Sequence, residues 1–432
     1  MSIERLSVNN GENEGNIDAG MSSLESMARD FDPVAAMEAV EERKTELAKE
    51  KAKEQLSAGA STVSVYIEGG ASMSPKEWKK LKGEAGAYTL ERQAWHERVL
   101  EGAIEAGKHL SEELGPPPRI IAARGGCGSG KTTAFKKLLT GKNVFDVKGD
   151  IPGAVKPDYF KDVIKGEARD RLGVEVTSVQ AHMESTGICR MYSEKLIDDP
   201  EASMVIDKQL EAEGDIKELI EWGKKSNKPV ELLDNDVPIE LSAFRVLKRR
   251  IGGADPNIMF DGVARGFIGI RANRGQLLED VRDEIVSTYS LRAFDPVSKK
   301  QIEVAKKVDG VMVYEPGYEE LGRAIGRQDE TGARTEAEKA KNQIITDEYI
   351  EEFVAKYFDE SEGATKWSQE ARNVLGAYTG LGITLGEALD SKAAGINPDR
   401  DKGTNELMDP RYREKVVAFV QQKRAGRVGA IA

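Results

Sequence analysis

The sequence predicts an α/β fold, a parallel sheet flanked by helices, with further helical segments at both ends. Three observations carry this expectation. Gly125 to Thr132 spell a complete G-x-x-x-x-G-K-S/T phosphate-loop motif. The apolar run Ile120 to Ala123 precedes it and the helical stretch Ala134 to Leu139 follows it, which is the strand, loop and helix setting the motif requires. Beyond it, strand-like and helix-like segments alternate, as they do in layered α/β proteins.

Residues 1–32 are rich in Ser, Asn, Gly and acids and short of large apolar side chains, so they are expected to be disordered. Residues 33–115 read as a helical N-terminal region. Phe31 to Leu56 is a Glu/Lys/Ala segment with a thin apolar stripe, and Val63, Val65 and Ile67 alternate as in an edge strand. Ser74 and Glu77 form a capping box with Pro75 at the first helical position. Thr89 to Leu114 offers Trp95, Val99, Ile104 and Leu110 for packing, and Gly115-Pro116-Pro117-Pro118 closes the region.

The core is assigned to residues 116–320. Strands are expected at 119–123, 143–147, 202–206, 229–233 and 311–314, and helices at 132–139, 159–171, 177–196, 215–225, 239–250 and 262–289. Residues 321–432 form a helical C-terminal extension. Within it Thr346 caps an amphipathic helix with Tyr349, Ile350, Phe353, Val354, Tyr357 and Phe358 along one face, and Arg411 to Lys423 is a further helix.

The chain of 432 residues has a formal net charge of -12, which argues against general affinity for nucleic acid or an anionic membrane. No apolar run reaches transmembrane length, and Met1 to Gly20 lacks the basic and apolar regions of a cleavable signal peptide. Cys127 and Cys189, with His96, His109 and His182, give neither a disulfide framework nor a metal-ligand spacing.

The phosphate loop has a direct chemical reading. Gly125, Gly126, Cys127, Gly128, Ser129 and Gly130 let backbone N–H groups converge on phosphate oxygens, and the helix beginning near Lys131 adds its positive end. Lys131 can reach a terminal phosphate, and the hydroxyl of Thr132, followed by Thr133, can ligate Mg²⁺ on the nucleotide.

Downstream residues have to name the reaction. Asp158 follows the expected second strand and would lie at the carboxyl edge of the sheet, where ligands bind; its ordinary alternative is capping the helix from Tyr159. Lys161 shares its face and either pairs with it and holds it ionised or is simply solvated. Gln180 and Glu184 share a helix face, with His182 displaced from it, and suit a polar substrate such as a ribose or sugar. Asp207 ends the Met204-Val205-Ile206 run either as a Mg²⁺-side carboxylate or as a plain strand terminator. Arg245, Lys248, Arg249, Arg250, Arg265, Arg271 and Arg274 concentrate positive charge in an acidic chain; Arg245 and Arg249 share a face and can clamp phosphates, while the ordinary alternative, surface cations pairing with nearby acids, covers most of the seven and leaves one or two functional.

Taken in order, these pieces resemble the zeta-toxin-like P-loop kinases. The matching residues are the Gly125 to Thr133 loop, Pro157-Asp158-x-x-Lys161, His182-x-Glu184-Ser185, Met204-Val205-Ile206-Asp207, and Val237-Pro238-Ile239-Glu240-Leu241-Ser242-x-x-Arg245. The N-terminal extension and the long spacing from Lys131 to Asp158 are most similar to the AvrRxo-type bacterial effector kinases. The resemblance implies a P-loop kinase core that uses ATP and Mg²⁺, with Asp158 as the base and Arg245, Arg249 or Arg250 on the phosphates. Lys161, Gln180, His182, Glu184 and Arg265 would face the acceptor.

In the AvrRxo-type branch that acceptor is the 3′-hydroxyl of the adenosine ribose of NAD. In zeta toxins proper it is UDP-N-acetylglucosamine, but Met204 to Lys208 lacks the Thr-x-Arg ending of their strand. The resemblance further implies a toxic bacterial protein, held inactive in the bacterial cytoplasm by a small antitoxin or chaperone and delivered into a host. The reading of another class is a nucleotide-dependent switch or scaffold. Against a GTPase, Asn227-Lys228 continues into Pro229-Val230 and gives no guanine-reading motif.

Overall fold

The computed structural model describes residues 90–139, 141–142, 144–145, 151–173, 178–249, 258–361, 363, 365–396, 406 and 408–426. The readings made above for residues 1–89 lie outside them. Along the chain run α1 (Leu90–Leu114), β1 (Ile120–Arg124), α2 (Lys131–Leu138), α3 (Pro157–Leu172), α4 (Ser178–Asp198), β2 (Met204–Asp207), α5 (Glu213–Ser226), β3 (Val230–Asp236) and α6 (Ile239–Leu247). There follow α7 (Phe260–Ala272), α8 (Arg274–Asp280), β4 (Val286–Asp295), β5 (Lys300–Val308), β6 (Val311–Tyr314), α9 (Glu319–Gly326), α10 (Glu330–Lys341), α11 (Asp347–Tyr357), α12 (Lys366–Gly376), α13 (Leu385–Ala393) and α14 (Pro410–Arg424). No helix among the described residues is long and apolar enough to cross a membrane.

The chain divides into two compact units, one from Met1–Gly115 and Asn143–Leu196, the other from Pro116–Lys142 and Ile197–Ala432. The first unit is helical among its described residues. On α1 the buried positions Arg92, Trp95, His96, Ala103, Ala106 and Leu110 recur at helical spacing. Gly153 lies so close to α1 that a β-carbon there would stand 2.5 Å from the Ala106 carbonyl oxygen. Its own carbonyl accepts from the Tyr192 hydroxyl of α4 at 2.6 Å. The segment that leads into α3 is thus pinned on two sides.

The second unit holds a six-stranded sheet in the order β2-β1-β3-β4-β5-β6. β2, β1, β3 and β4 are parallel, and β1 is buried at all five positions, as a central parallel strand must be. β4–β5 and β5–β6 are antiparallel. The expectation of a parallel sheet therefore holds for four strands and is corrected for the rest: Val311 to Tyr314 is an antiparallel edge strand.

The single helix expected over 262–289 is in fact α7, α8 and the start of β4. Asn273 ends α7, and the β-branched and aromatic residues from Val286 onward prefer the pleated surface. Of the strand expected at 143–147, only Val144 and Phe145 are described, and neither is in a strand.

The C-terminal helices pack against α6 and β4. The Thr346 hydroxyl accepts from the Tyr349 amide at 3.1 Å and starts α11, whose Tyr349, Ile350, Phe353, Val354 and Tyr357 are buried as the stripe predicts. Phe353 meets Phe244 of α6 edge-on, with ring centroids 5.2 Å apart, and Tyr357 meets Phe294 of β4 at 5.4 Å.

Candidate functional site

β1 ends at Arg124, and the chain turns through Gly125 to Gly130 into α2. Gly128 has φ 79°, and a β-carbon there would stand 2.6 Å from the Ser242 carbonyl oxygen, so only glycine lets the loop lie against α6. Two side chains one turn apart on α6 hold it there. The Ser242 hydroxyl donates to the Cys127 carbonyl at 2.9 Å, and Arg245 Nη1 donates to the Gly128 carbonyl at 3.0 Å. Lys131 Nζ donates to the carbonyls of Gly125 at 2.8 Å and Gly126 at 3.2 Å. Thr132 and Thr133, in the first turn of α2, are exposed.

Arg245 is partly buried, and no carboxylate among the described residues pairs with it; burial pulls its guanidinium down to about 10. A cation withdrawn from water without a counter-charge is unfavourable unless something anionic joins it. From β5, Gln301 reaches the same loop. Its Nε2 donates to Asn235 Oδ1 at 3.1 Å, while its Oε1 lies 3.1 Å from where a β-carbon of Gly130 would be.

The loop stands on a buried charge network. Arg124 and Arg274 both bond the carboxylate of Asp234, each N–O distance being 3.2 Å, and the Tyr289 hydroxyl donates to it at 3.1 Å. Arg274 and Arg271 bond Asp236, the former at 2.8 Å. Burial alone would raise the pKa of Asp236, but Arg274 and Arg271 more than offset it and hold the carboxyl below its ordinary value. Losing one partner of such a pair costs about 3–5 kcal/mol, so the network fixes where the strands end and the loop begins.

In the first unit, α3 starts at Pro157 with Lys156 as its N-cap, which corrects the expected start at Tyr159 and the capping alternative for Asp158. Asp158 sits in the first turn, where a carboxylate is favoured by the helix dipole, and accepts from Lys161 Nζ at 2.7 Å. One turn on, burial raises the pKa of Asp162 to about 6, with Asp158 adding to the shift and Lys165 opposing it.

Glu184 has a different setting from the one expected of an acceptor-facing residue. It is buried and accepts from Arg92 Nε at 2.6 Å, and His96 Nε2 lies 2.6 Å from the same oxygen. Arg92 Nη1 also donates to Glu167 Oε2 at 2.8 Å, so these charges tie α1, α3 and α4 together. Burial would raise the pKa of Glu184, but Arg92 and His96 bring it below the usual range.

The structure thus brings Gly125 to Thr133, Lys131 and Arg245 together, and it places Asp158 with Lys161. Arg249 lies beyond the end of α6 at Leu247, which corrects its expected shared helix face with Arg245. Arg265 is exposed on α7, and Asp207 closes β2 in register with Ala123 of β1. Arg271 and Arg274, counted in the basic cluster, belong to the buried network instead. Arg250 and the side chains of Gln180 and His182 lie outside the described residues. Gln209, Glu211, Asn235 and Gln301 flank the loop without having been marked by the sequence, and Ser242, named there only as part of a matched segment, holds it. Only Ser242, three positions before Arg245, had a sequence signal.

No family model matches the chain, and no curated protein matches it. Solved structures do. A crystal structure of AvrRxo1-ORF1:AvrRxo1-ORF2 with sulphate ions matches with TM-score 0.59 at 26% identity, covering 74% of this chain and 94% of that one. The native AvrRxo1-ORF1:-ORF2 complex gives TM-score 0.60 at 26% identity over the same shares, 74% and 94%. The structure of AvrRxo1-ORF1:-ORF2 with ATP gives 0.59 at 27% identity, again over 74% and 94%. The likeness carries the resemblance from local motifs to about three quarters of the chain.

Proposed function

We propose that the chain is an ATP- and Mg²⁺-dependent kinase of the zeta-toxin-like class that transfers the γ-phosphoryl group to the 3′-hydroxyl of the adenosine ribose of NAD. The observation that carries this reading is the pairing of Arg245, a partly buried cation with no acid partner among the described residues, with a glycine loop whose Lys131 rests on its own carbonyls. A polyphosphate would supply the counter-charge that Arg245 lacks among the described residues. The similar AvrRxo1-ORF1:-ORF2 structure with ATP supports ATP as that polyphosphate.

In this reading Lys131 leaves the carbonyls of Gly125 and Gly126 for the β and γ phosphates, and the loop amides hold the chain in place. Asp158, which accepts a hydrogen bond from Lys161, takes the proton of the acceptor hydroxyl, a role worth about 10²–10⁴ in rate. Arg245, with Arg249 and Arg250, stabilises charge on the transferring group. The oxygen donors fit Mg²⁺, which takes most of its ligands from phosphate and water: the exposed Thr132 hydroxyl and the Asp207 carboxylate would hold it, and it would neutralise phosphate charge.

Gln180, His182, Glu184 and Arg265 would complete the acceptor side, Glu184 through the positions it gives Arg92 and His96 rather than by direct contact. The similar structures are two-component complexes, which supports a small partner protein that holds this chain inactive before delivery into a host. The test is an acceptor screen. The protein is incubated with ATP, Mg²⁺ and either NAD or UDP-N-acetylglucosamine, and the acceptors are weighed by mass spectrometry. One added phosphate on NAD is expected. Phosphate on the sugar nucleotide overturns the choice of acceptor, and slow ATP hydrolysis without any phosphorylated acceptor overturns the kinase reading in favour of a nucleotide switch.

A further inference from the structure

We propose that Glu211, which no sequence motif marks, makes phosphate binding at the loop depend on an accompanying divalent cation; the proposal rests on the loop being the phosphate site argued above. The segment after β2 is built to present this residue. Leu210 has φ 52°, a left-handed conformation that is strained for a residue with a side chain and that persists only where surroundings enforce it.

Here they do. The Gly125 amide donates to the Gln209 carbonyl at 3.1 Å, Arg124 Nε to the Leu210 carbonyl at 3.1 Å, and Asn273 Nδ2 to the Glu211 carbonyl at 2.8 Å. Gln209 Nε2 also donates to Cys127 Sγ within the loop at 3.0 Å. Two glycines of α7 make the room: a β-carbon at Gly266 would stand 2.4 Å from Gln209 Oε1 and 2.9 Å from Glu211 Oε2, and one at Gly269 would stand 3.0 Å from the Glu211 carbonyl oxygen.

The result is a half-buried carboxylate in the field of Lys131 and Arg265 that accepts no hydrogen bond and forms no ion pair among the described residues. Burial and then Asp215 push its carboxyl above the ordinary value, with Arg265 and Lys131 opposing. A fixed negative charge beside a phosphate cradle repels bare polyphosphate. A divalent cation carried by the polyphosphate reverses the sign of that interaction, so Glu211 selects the metal-bound form.

The test is calorimetric titration of the full chain with pyrophosphate, with and without MgCl₂ at constant ionic strength, comparing wild type, Glu211→Gln and Glu211→Asp. Coupling free energies between sites typically give about 5–150-fold effects, and wild type is expected to gain affinity on that scale when Mg²⁺ is added. Glu211→Gln should bind metal-free pyrophosphate about tenfold tighter and lose a similar factor of the Mg²⁺ gain, while Glu211→Asp, which keeps the charge, should behave like wild type. Because the carboxylate accepts no hydrogen bond among the described residues, the amide should leave the fold intact, which a thermal melt checks. Normal wild-type binding with the same metal-free affinity and the same Mg²⁺ gain in Glu211→Gln overturns this proposal alone. Failure of wild type to bind pyrophosphate in either condition overturns the loop reading with it.

Discussion

Replacing Gly128 by alanine puts a methyl group where the loop meets α6, and the structure gives the cost. At φ 79° an L residue is strained by about 1–2 kcal/mol. The new β-carbon would also stand 2.6 Å from the Ser242 carbonyl oxygen and 3.2 Å from its Cα, both backbone atoms that cannot swing aside. The loop must then lift from α6 and weaken the bonds from Ser242 to Cys127 and from Arg245 to Gly128, each worth about 1 kcal/mol.

The total is about 2–4 kcal/mol against the loop geometry that gathers the phosphate donors, or about 30- to 1,000-fold in nucleotide affinity. Calorimetric titration with ATP and Mg²⁺, together with a thermal melt, measures it. Gly102→Ala is the control, since a β-carbon there meets nothing within 4 Å in the middle of α1. That change should raise stability by about 1 kcal/mol and leave affinity alone. Wild-type affinity in a folded Gly128→Ala variant would mean that the contact between the loop and α6 does not govern nucleotide binding.

Other perturbations separate structural from chemical roles. Glu184→Gln leaves Arg92 facing a neutral partner in a buried cluster and should cost about 3–5 kcal/mol, read as a melting temperature lower by several degrees. Arg245→Ala should leave the melt little changed but lower kcat by about 10²–10³, checked by steady-state kinetics. Asp162 gives a pH signature. Its folded pKa is raised from 3.8 to about 6, so the folded chain binds the extra proton, and stability falls as pH rises through about 4 to 6. Asp162→Asn should therefore melt with wild type near pH 4 and above it at pH 7, as thermal scans at both values would show.

Much of the core was legible because its signals are local. The motif from Gly125 to Thr132 carries its own strand and helix, and the stripe of α11 follows one helical face from a capping threonine. What stayed hidden depends on pairing across the sequence. β5 alternates Ile302 and Val304 with charged neighbours and reads as solvated chain until β4 pairs with it, and β4 itself continues the apolar pattern of the helix expected before it. In the site, Arg274 and Arg245 look alike as sequence. One meets Asp234 and Asp236, brought in by β3, and the other meets no acid among the described residues and donates to a loop carbonyl. No spacing rule distinguishes them. Glu211 and Gln209 became visible only through the strained Leu210 and the bare backbone of Gly266.

In the proposed phosphoryl transfer the loop holds ATP and Asp158 takes the acceptor proton. This division of roles is tested most directly by following γ-labelled ATP in a single turnover with NAD, comparing wild type with Asp158→Asn after matching their ATP affinities by titration. Both proteins are expected to bind ATP, the label to move from ATP to a NAD monophosphate in wild type, and transfer in the variant to fall by about 10²–10⁴. Equal transfer by both, or label released only as inorganic phosphate by both, would contradict that division.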